Sequence, residues 1–278
     1  MQNNISEYVY PATGSATIND NAFDFFQKNG FVVLSDFIST NIVKKVKKSL
    51  EQLSKKELDD KSGVFYGGNY DSTKHYTLQR IWNLLNKGKI FQDLIINEEL
   101  LHWMNKIFDR DTPHDKFYLS SFQANILKPG APSQHLHIDT PVPEPLPKWP
   151  IKANSIFLIN DFNKNNGATE VVPKSHLRSK KPKRDLESDK KGIIKVIAPA
   201  GSVIITHGAL WHNSSENNSN TIRYALLGSF AASYAREIST EEDILRSMNN
   251  LDLENMNDEL YRLIGGKHGI KDKKWAKK

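Results

Sequence analysis

Two segments of the chain carry side chains that could bind a metal ion. The first, 134–140, places His135, His137 and Asp139 at alternate positions. If this segment is a β-strand, successive side chains point to opposite faces, so these three share one face. Two ligands spaced two residues apart on a strand can reach the same metal ion. The chain contains no cysteine, which leaves histidine, aspartate and glutamate as its strong metal ligands.

The second segment, 206–214, contains His207 and His212 directly after a predicted strand. One imidazole from this segment would complete a set of two histidines and one carboxylate. Such a set occupies one face of a metal ion, leaves the other positions open for substrates, and is typical of non-haem Fe(II) oxygenases. The residue types alone allow either histidine as the third ligand.

Arg223 lies inside an apolar predicted strand, eleven residues after His212. Burial of a guanidinium without an anion is costly, so this side chain either faces water or pairs with a carboxylate. In the second case its planar fork could bind a cosubstrate carboxylate through two charge-assisted hydrogen bonds. Gln123 and Asn125 share one face of another predicted strand. There they could donate hydrogen bonds to the cosubstrate or substrate, or simply form polar surface.

The secondary structure predicted to position these residues changes near residue 116, from helices to short strands. Before it, apolar residues recur every three or four positions, which predicts helices at 22–28, 40–53 and 78–108, with a short strand at 31–34. After it, short β-type segments are separated by proline, glycine and asparagine. The predicted strands are 117–127, 134–140, 154–162, 169–172, 193–197, 202–207 and 221–230. This pattern favours a sandwich, jelly roll or barrel over a parallel α/β sheet.

The length suits one large domain, and we predict a single domain over residues 1–278. Its expected parts are an irregular lead-in (1–21), a mainly helical part (22–115), the β core (116–235) and a helical part that ends in a basic tail (236–278). No apolar segment approaches the roughly 20 residues of a membrane span, and the first residues lack the pattern of a signal peptide. We therefore expect a cytoplasmic protein, monomeric or homodimeric, without membrane contact.

The net charge of +6 raises the question of a nucleic-acid partner. The excess is concentrated in two places. Segment 267–278 has six lysines against one aspartate, and segment 178–191 has seven basic against three acidic residues. The rest of the chain is slightly acidic, so the two basic segments are interpreted as solvated surface, and we expect no nucleic-acid partner.

Four motifs follow one another along the chain: Gly30-Phe31-Val32-Val33-Leu34 with the helix after it, Leu136-His137-Ile138-Asp139, the turn 166–176, and His212-Asn213-Ser214 with Asn217 and Arg223. In order, spacing and residue type they resemble the phytanoyl-CoA dioxygenase (PhyH) family of Fe(II)- and 2-oxoglutarate-dependent oxygenases. The resemblance spans residues 22–233, most of the chain. It implies a mainly β fold with flanking helices, built on a double-stranded β-helix, the jelly roll of cupin-like proteins.

The resemblance also implies an activity. Such enzymes use Fe(II), O2 and 2-oxoglutarate, release succinate and CO2, and oxidise a small-molecule substrate, most often by hydroxylating an aliphatic C–H bond. Related halogenases have a small residue in place of the carboxylate ligand, so Asp139 argues against halogenation. The position that is oxidised and the identity of the prime substrate stay open at this point.

Site residues carry over from the family one at a time. His137 and Asp139 match the first two iron ligands, and His212 matches the third. Arg223 matches the arginine that binds the far carboxylate of 2-oxoglutarate, and Ser214 matches a hydroxyl that assists there.

Three neighbouring residues lie outside this set of matched site residues. His207 lies sixteen residues before Arg223, a spacing that fits the family less well than the eleven residues from His212. His176 falls in the structural turn and is assigned a structural role. Lys174 departs from the family, which more often has glycine there, and this puts the geometry of the turn in question.

A second class of function remains as the alternative. Two histidines and an aspartate can also hold Zn(II) or Mn(II), as in a non-oxidative cupin-like metal-binding protein or a metal-dependent hydrolase or isomerase. Arg223 and Ser214 speak against it, because such a protein has no need to bind 2-oxoglutarate.

Overall fold

The computed structural model describes residues 7–66, 76–109, 116–183, 187–235, 252 and 255–265. Its helices are α1 (Asp20–Asn29), α2 (Thr40–Asp59), α3 (Lys89–Ile95), α4 (Glu98–Ile107) and α5 (Asp258–Leu263), with short 3-10 turns at Leu84–Asn86, Ser175–Arg178, Glu187–Lys190 and Ser233–Ala235. Its strands are β1 (Val9–Pro11), β2 (Phe31–Ser35), β3 (Val64–Tyr66), β4 (Leu78–Ile81), β5 (Phe117–Leu127), β6 (Lys152–Leu158), β7 (Thr169–Val171), β8 (Ile194–Lys195), β9 (Val203–His207), β10 (His212–Ser214) and β11 (Arg223–Ala232).

The strands form a large sheet and a small one. The large sheet has the order β1-β2-β9-β6-β11-β5-β4-β3, and the small sheet has the order β10-β7-β8. All neighbouring strands are antiparallel except β1 and β2, which are parallel. Residues of both sheets line one cavity. The prediction of a mainly β protein with a jelly-roll core and flanking helices is thus confirmed.

The alternation of side chains along a strand divides the core into two apolar clusters. On β2, Val32 and Leu34 belong to the cluster that includes the buried faces of the helices, such as Leu50 on α2. Phe31 and Val33 point the other way, into a second cluster that also contains residues of the small sheet. The helices therefore cover the outer face of the large sheet, and its inner face is left to form the cavity and the second cluster.

Helix ends in the first part of the chain follow from local hydrogen bonding. The Asn19 side chain accepts from the backbone N–H of Ala22 at the start of α1, and the Ser39 side chain accepts from the N–H of Ile42 at the start of α2. Gly30 ends α1 with a φ of 83°, a left-handed conformation that favours glycine. This turn directs the chain straight into β2.

The predicted strand at 134–140 is wrong. In the structure this segment is extended but irregular, and its contact with β10 is an isolated bridge between His137 and His212. The backbone N–H groups of Asp139 and Thr140 both donate to the carbonyl of Gly208, so the regular ladder stops after His137.

The first part of the chain is also less helical than predicted. Segment 78–108 begins with strand β4, which pairs with β5, and becomes helical only at α3 and α4. Leu78 and Ile81 are three residues apart, a spacing that fits a helix as well as an edge strand. The lead-in is not irregular throughout, because it contains β1. Most of the predicted C-terminal helical part and the whole basic tail lie outside the described residues. Within the described part of this region, the structure contains the helix α5.

In the parts of the chain that the structure describes, no helix is long and apolar enough to cross a membrane.

Candidate active site

Three side chains meet at the point where the irregular segment 134–140 runs beside β10. His137 and His212 exchange backbone hydrogen bonds of 3.0 Å in both directions, and their rings lie 4.5 Å apart between centroids. Asp139 follows two residues later, with its Oδ2 3.3 Å from Nε2 of His212 and its Oδ1 4.0 Å from Nε2 of His137. One candidate ligand atom from each of the three lies within 4.8 Å of the others, close enough to share a metal ion.

Backbone carbonyls select which ring nitrogen of each histidine faces this centre. Nδ1 of His137 lies 2.8 Å from the carbonyl oxygen of His135, and Nδ1 of His212 lies 2.9 Å from that of Leu210. Each Nδ1 therefore carries a proton and donates a hydrogen bond to the carbonyl, so that Nε2 is the ring nitrogen that faces the cluster. Such a hydrogen bond is the usual support of a metal-binding histidine, because it holds both the tautomer and the ring orientation.

The charges of the three groups are strongly coupled. Burial alone would raise the pKa of the Asp139 carboxyl, but the nearby His212, its hydrogen bond, His137 and Lys152 outweigh it and lower that pKa well below its ordinary value. Burial, together with the charge of His212, lowers the pKa of His137. Burial would also lower the pKa of His212, but the charge and hydrogen bond of Asp139 raise it. The carboxylate is thus ionised and His137 is neutral at pH 7, as metal ligands must be.

Arg223, the first residue of β11, is 1% exposed. Its Nε donates to the carbonyl of Gly167 at 3.1 Å, one terminal nitrogen donates to Oγ of Ser214 at 3.1 Å, and the guanidinium lies 4.9 Å from the ring centre of Phe162. Burial lowers its pKa to about 9, with no contribution from any described carboxylate. The group stays cationic at pH 7, so the cavity holds a buried positive charge suited to an anionic ligand.

The cavity that contains these groups has a volume of about 310 Å³. His137 and Asp139 lie on the more open side of the cavity, where their side chains are 40% and 33% exposed. The side chain of His212 is 12% exposed. Gln123 and Asn125 line the wall formed by β5 and are buried. Their side-chain oxygens are buried and have no hydrogen-bond partner among the described residues.

His207 lies apart from the metal-ligand cluster. It is buried against His176, with 5.1 Å between ring centroids, and its Nδ1 accepts the backbone N–H of Ala209. Burial, together with the charge of His176, lowers the pKa of His207 to about 3. His176 in turn bonds through Nε2 to the carbonyl of Gln27. Both rings pack inside the protein, so the geometry favours His212 over His207 as the third ligand.

Two other neighbours of the site differ from what the sequence suggested. His135 is exposed and does not line the cavity, because the irregular backbone breaks the alternation that would have placed it beside His137. Lys174 adopts a φ of 67° at the start of the turn, the left-handed conformation that glycine accommodates more easily. The turn therefore keeps its geometry with lysine at this position.

Several residues of the cavity were missed at the level of sequence. Asn154 on β6 donates to Oδ2 of Asp139 at 2.7 Å and approaches Oγ1 of Thr206 at 3.4 Å. Lys152 lies two residues earlier on the same strand, and Arg80 on β4 also lines the cavity. Local sequence holds no signal for these contacts, since Asp139 and the other cavity residues lie on different segments of the chain.

Solved structures with the same fold are 2-oxoglutarate-dependent enzymes. The non-haem α-ketoglutarate-dependent carbocyclase SnoK of nogalamycin biosynthesis superposes with a TM-score of 0.65 at 18% identity, covering 80% of this chain and 87% of SnoK. HygX from Streptomyces hygroscopicus, solved with nickel and 2-oxoglutarate, gives a TM-score of 0.61 at 14% identity, covering 78% of this chain and 89% of HygX. This chain therefore shares the fold of these two enzymes.

Sequence comparison defines the family within this class. The dioxygenase cdmA of Talaromyces verruculosus is 24% identical over 272 residues, which cover 91% of this chain and 85% of cdmA. The iron/α-ketoglutarate-dependent dioxygenase okaE of Penicillium ochrochloron is 24% identical over 236 residues, covering 81% of this chain and 76% of okaE. The model of the phytanoyl-CoA dioxygenase (PhyH) family matches residues 26–225. The chain belongs to this family and is an enzyme of the Fe(II)- and 2-oxoglutarate-dependent dioxygenase class.

Proposed function

We propose that His137, Asp139 and His212 hold one Fe(II) ion and that Arg223 binds the far carboxylate of 2-oxoglutarate. The donor set fits the metal, because one ligand atom from each of two imidazoles and one carboxylate lie within 4.8 Å of one another, and one side of the cluster is open to the cavity. The okaE relative is iron- and α-ketoglutarate-dependent by name, and HygX was solved with 2-oxoglutarate.

The observation that carries this proposal is the pairing of two features in one cavity. A cluster of metal ligands and a buried cation without a described carboxylate partner line the same 310 Å³ space. A hydrolase or isomerase needs the first feature but not the second. Ser214 accepts a hydrogen bond from Arg223 and so holds the guanidinium in place, which leaves other N–H groups of the fork for the cosubstrate.

When bound, Fe(II) would supply the oxygen chemistry that couples decarboxylation of 2-oxoglutarate, giving succinate and CO2, to oxidation of the prime substrate. The protein's residues bind and orient. His137, Asp139 and His212 would hold the metal, Arg223 would hold the far carboxylate of the cosubstrate, and Gln123 and Asn125 would offer amide groups to cosubstrate or substrate. The buried strands β6, β9 and β11 wall one side of the cavity.

We propose hydroxylation of an aliphatic C–H bond of a small molecule as the reaction. Asp139 supports this choice, since a carboxylate at this position occupies the space that a halide would need. Among the neighbours in fold, SnoK is a carbocyclase and SnoN an epimerase, so cyclisation and epimerisation are the alternative outcomes of the same oxidative step.

The test is succinate release from 2-oxoglutarate by the purified protein with Fe(II) and O2, over a panel of small molecules, with mass analysis of the products. We expect Fe(II)-dependent succinate, stimulated by at least one compound that gains one oxygen atom. A product that has lost two hydrogens or changed only its stereochemistry would replace hydroxylation with cyclisation, desaturation or epimerisation. Absence of succinate under all conditions would contradict the oxygenase assignment.

A further inference from the structure

Gln123 carries a buried side-chain oxygen for which the fold supplies no hydrogen bond. The residue lies on β5, is 9% exposed and lines the cavity of the metal ligands, and its Oε1 has no hydrogen-bond partner among the described residues. Gln79, on the neighbouring strand β4, shows the usual situation, since its Oε1 accepts from Oγ of Ser54 and from the hydroxyl of Tyr76. A buried acceptor without a donor is costly, so we expect a molecule in the cavity to supply the donor for Gln123.

The strand register shows which residues of the large sheet lie level with the metal ligands. Ser229 on β11 pairs with Ser121 on β5 and with Asn154 on β6. Asn154 pairs in turn with Thr206 on β9. All four residues line the cavity, and the side chain of Asn154 donates to Asp139. These four residues, which we call the polar row, therefore cross the large sheet at the level of the carboxylate ligand.

Arg223 lies further along the same face of the sheet. On β11 it precedes Ser229 by six residues, about 20 Å of strand. Inward-facing pairs recur every two residues, so Asn125 on β5 lies one row from Arg223, whereas Gln123 lies two rows from Arg223 and one row from the polar row. On the proposed function, 2-oxoglutarate extends from Arg223 toward the metal ligands. Asn125 is thus the amide nearer the far carboxylate of the cosubstrate, and Gln123 is the amide nearer the metal, where the prime substrate is oxidised.

The cross-strand neighbours of Gln123 indicate the chemistry of its partner. Leu227 on β11 pairs with Gln123, and Ile156 on β6 pairs with Leu227; both apolar residues line the cavity. Ser121 and Ser229 of the polar row lie one row further on. A hydroxyl group suits these surroundings, because it can donate to Oε1 of Gln123 and also accept from a serine, while the rest of the molecule packs on apolar side chains.

We propose that the prime substrate bears a hydroxyl group that donates a hydrogen bond to Oε1 of Gln123, with Ser121 and Ser229 beside it; this inference rests on the proposed function. It gives the two amides of β5 different roles, since Asn125 is assigned to the cosubstrate and Gln123 to the substrate. A site built around such a hydrogen bond discriminates against an analogue without the donor, because the buried acceptor is then left unpaired. The substrate class is therefore an aliphatic alcohol, and Gln123 determines the specificity for its hydroxyl.

The experiment uses the full chain loaded with Zn(II), which has no redox chemistry, and with 2-oxoglutarate, so that ligands bind without turnover. Thermal melts are recorded with a panel of aliphatic and alicyclic alcohols, each beside its O-methyl ether. We expect at least one alcohol to raise the melting temperature with a concentration dependence that its ether lacks. Gln123→Leu should weaken that alcohol's affinity by about tenfold to a hundredfold and remove the preference over the ether. Gln52→Leu, at an exposed glutamine of α2, is the matched control and should keep both.

A second measurement tests the unpaired oxygen without any substrate. Urea unfolding of the metal-free protein compares Gln123→Leu with Gln79→Leu. Gln79→Leu should lower the free energy of unfolding, because it leaves the hydroxyls of Ser54 and Tyr76 without their acceptor. Gln123→Leu should not lower it, because no hydrogen bond to its Oε1 is lost. A loss in Gln123→Leu as large as that in Gln79→Leu would show a structural role for Gln123 and overturn the inference.

The outcomes of the melts separate the inference from the proposed function. If 2-oxoglutarate stabilises the wild type but no alcohol surpasses its ether, or if Gln123→Leu keeps the preference, the inference is overturned and the oxygenase assignment stands. If Gln123→Leu weakens the stabilisation by 2-oxoglutarate alone as strongly as Arg223→Lys does, Gln123 belongs to the cosubstrate and the inference is again overturned. If 2-oxoglutarate does not stabilise the Zn(II)-loaded wild type, the proposed function fails and the inference with it. The comparison of alcohol with ether is made on the wild type, so it decides the matter even where Gln123→Leu does not fold.

Discussion

Asn154 donates a hydrogen bond of 2.7 Å from its side-chain nitrogen to Oδ2 of Asp139. Asp139 itself lies on an irregular segment with no strand to hold it, whereas Asn154 lies in the middle of the large sheet, on β6 between β9 and β11. This hydrogen bond therefore restrains the carboxylate of Asp139 through a residue that is held in the sheet. It also restrains the oxygen that lies 3.3 Å from Nε2 of His212, so the relative position of two candidate ligands depends on it.

The first prediction concerns this contact. Replacing Asn154 with Ala removes the restraint but keeps all three ligands, so metal affinity should fall by about 10-fold to 100-fold, the usual effect of losing a support to a ligand. Zn(II) binding measured by competition with a chelating dye gives the affinity. Asn165→Ala, at an exposed asparagine, is the matched control and should bind as the wild type does. Equal affinities for Asn154→Ala and the control would show that Asp139 is positioned without Asn154.

The second prediction concerns the cosubstrate. Arg223→Lys keeps the positive charge but loses the planar fork that Gly167 and Ser214 orient, so the Michaelis constant for 2-oxoglutarate should rise by about 10-fold to 100-fold. Metal affinity should change little, because Arg223 is not a ligand. Arg178→Lys, at an exposed arginine, serves as the control. An unchanged Michaelis constant in Arg223→Lys would contradict the role of the guanidinium.

The third prediction concerns protons released on metal binding. The charge of Asp139 outweighs burial and raises the pKa of His212 above its ordinary value, so the metal-free protein holds a proton on His212 to a higher pH than usual. A metal must displace that proton. Zn(II) binding should therefore release a growing fraction of a proton as the pH falls from 8 to about 6, with affinity falling in parallel. Calorimetry in buffers of different ionisation enthalpy measures the release. A heat of binding independent of the buffer at pH 6 would count against it.

The fourth prediction concerns acid stability and uses the histidine that the site does not include. Burial lowers the pKa of His207 from 6.5 to about 3, so the unfolded state binds more protons than the folded state between these values. The stability that neutral His207 contributes is therefore present above pH 6.5 and is lost as the pH falls toward 3, at up to about 1.4 kcal/mol per pH unit.

His207→Asn should reduce this dependence while keeping an acceptor for the backbone N–H of Ala209. Urea unfolding of the metal-free protein at pH 7, 6 and 5 gives the slope. His102→Asn, at an exposed histidine of α4, controls for the loss of an imidazole and should keep the wild-type slope. If His207→Asn loses stability with acid as steeply as the wild type, the buried ring is not the source.

The regular strands of the core were the part of the fold that the sequence predicted well. Segment 117–127 has the same bounds as β5, because its apolar and aromatic residues suit a strand that is buried on both faces. The predicted strand at 154–162 began two residues late, since Lys152 interrupts the apolar pattern, and it ended four residues beyond β6, which stops at Leu158. Lys152 is buried against residues of other strands that line the same cavity, so its burial cannot be inferred from its neighbours in sequence. Local pattern therefore could not distinguish it from a loop residue.

The candidate site, like the fold, was only partly predictable from local sequence. His137, Asp139 and His212 were assigned by residue type and by resemblance, and the structure brings them together. Strand alternation would also have placed His135 beside them, but the two hydrogen bonds to the carbonyl of Gly208 prevent a strand there. Asn154 carries no sign of its role in its own neighbourhood, because its partner Asp139 lies fifteen residues earlier and reaches it only through the tertiary fold.

The central claim is that one Fe(II) is held by His137, Asp139 and His212, and its most direct test is the stoichiometry of anaerobic Fe(II) binding at pH 7.5, measured by equilibrium dialysis. We predict one tightly bound Fe(II) per chain in the wild type and in His207→Asn, and loss of that tight site in His137→Ala, in Asp139→Ala and in His212→Ala. Retention of one tightly bound Fe(II) in any of these three variants, or its loss in His207→Asn with the fold intact, would contradict the assignment.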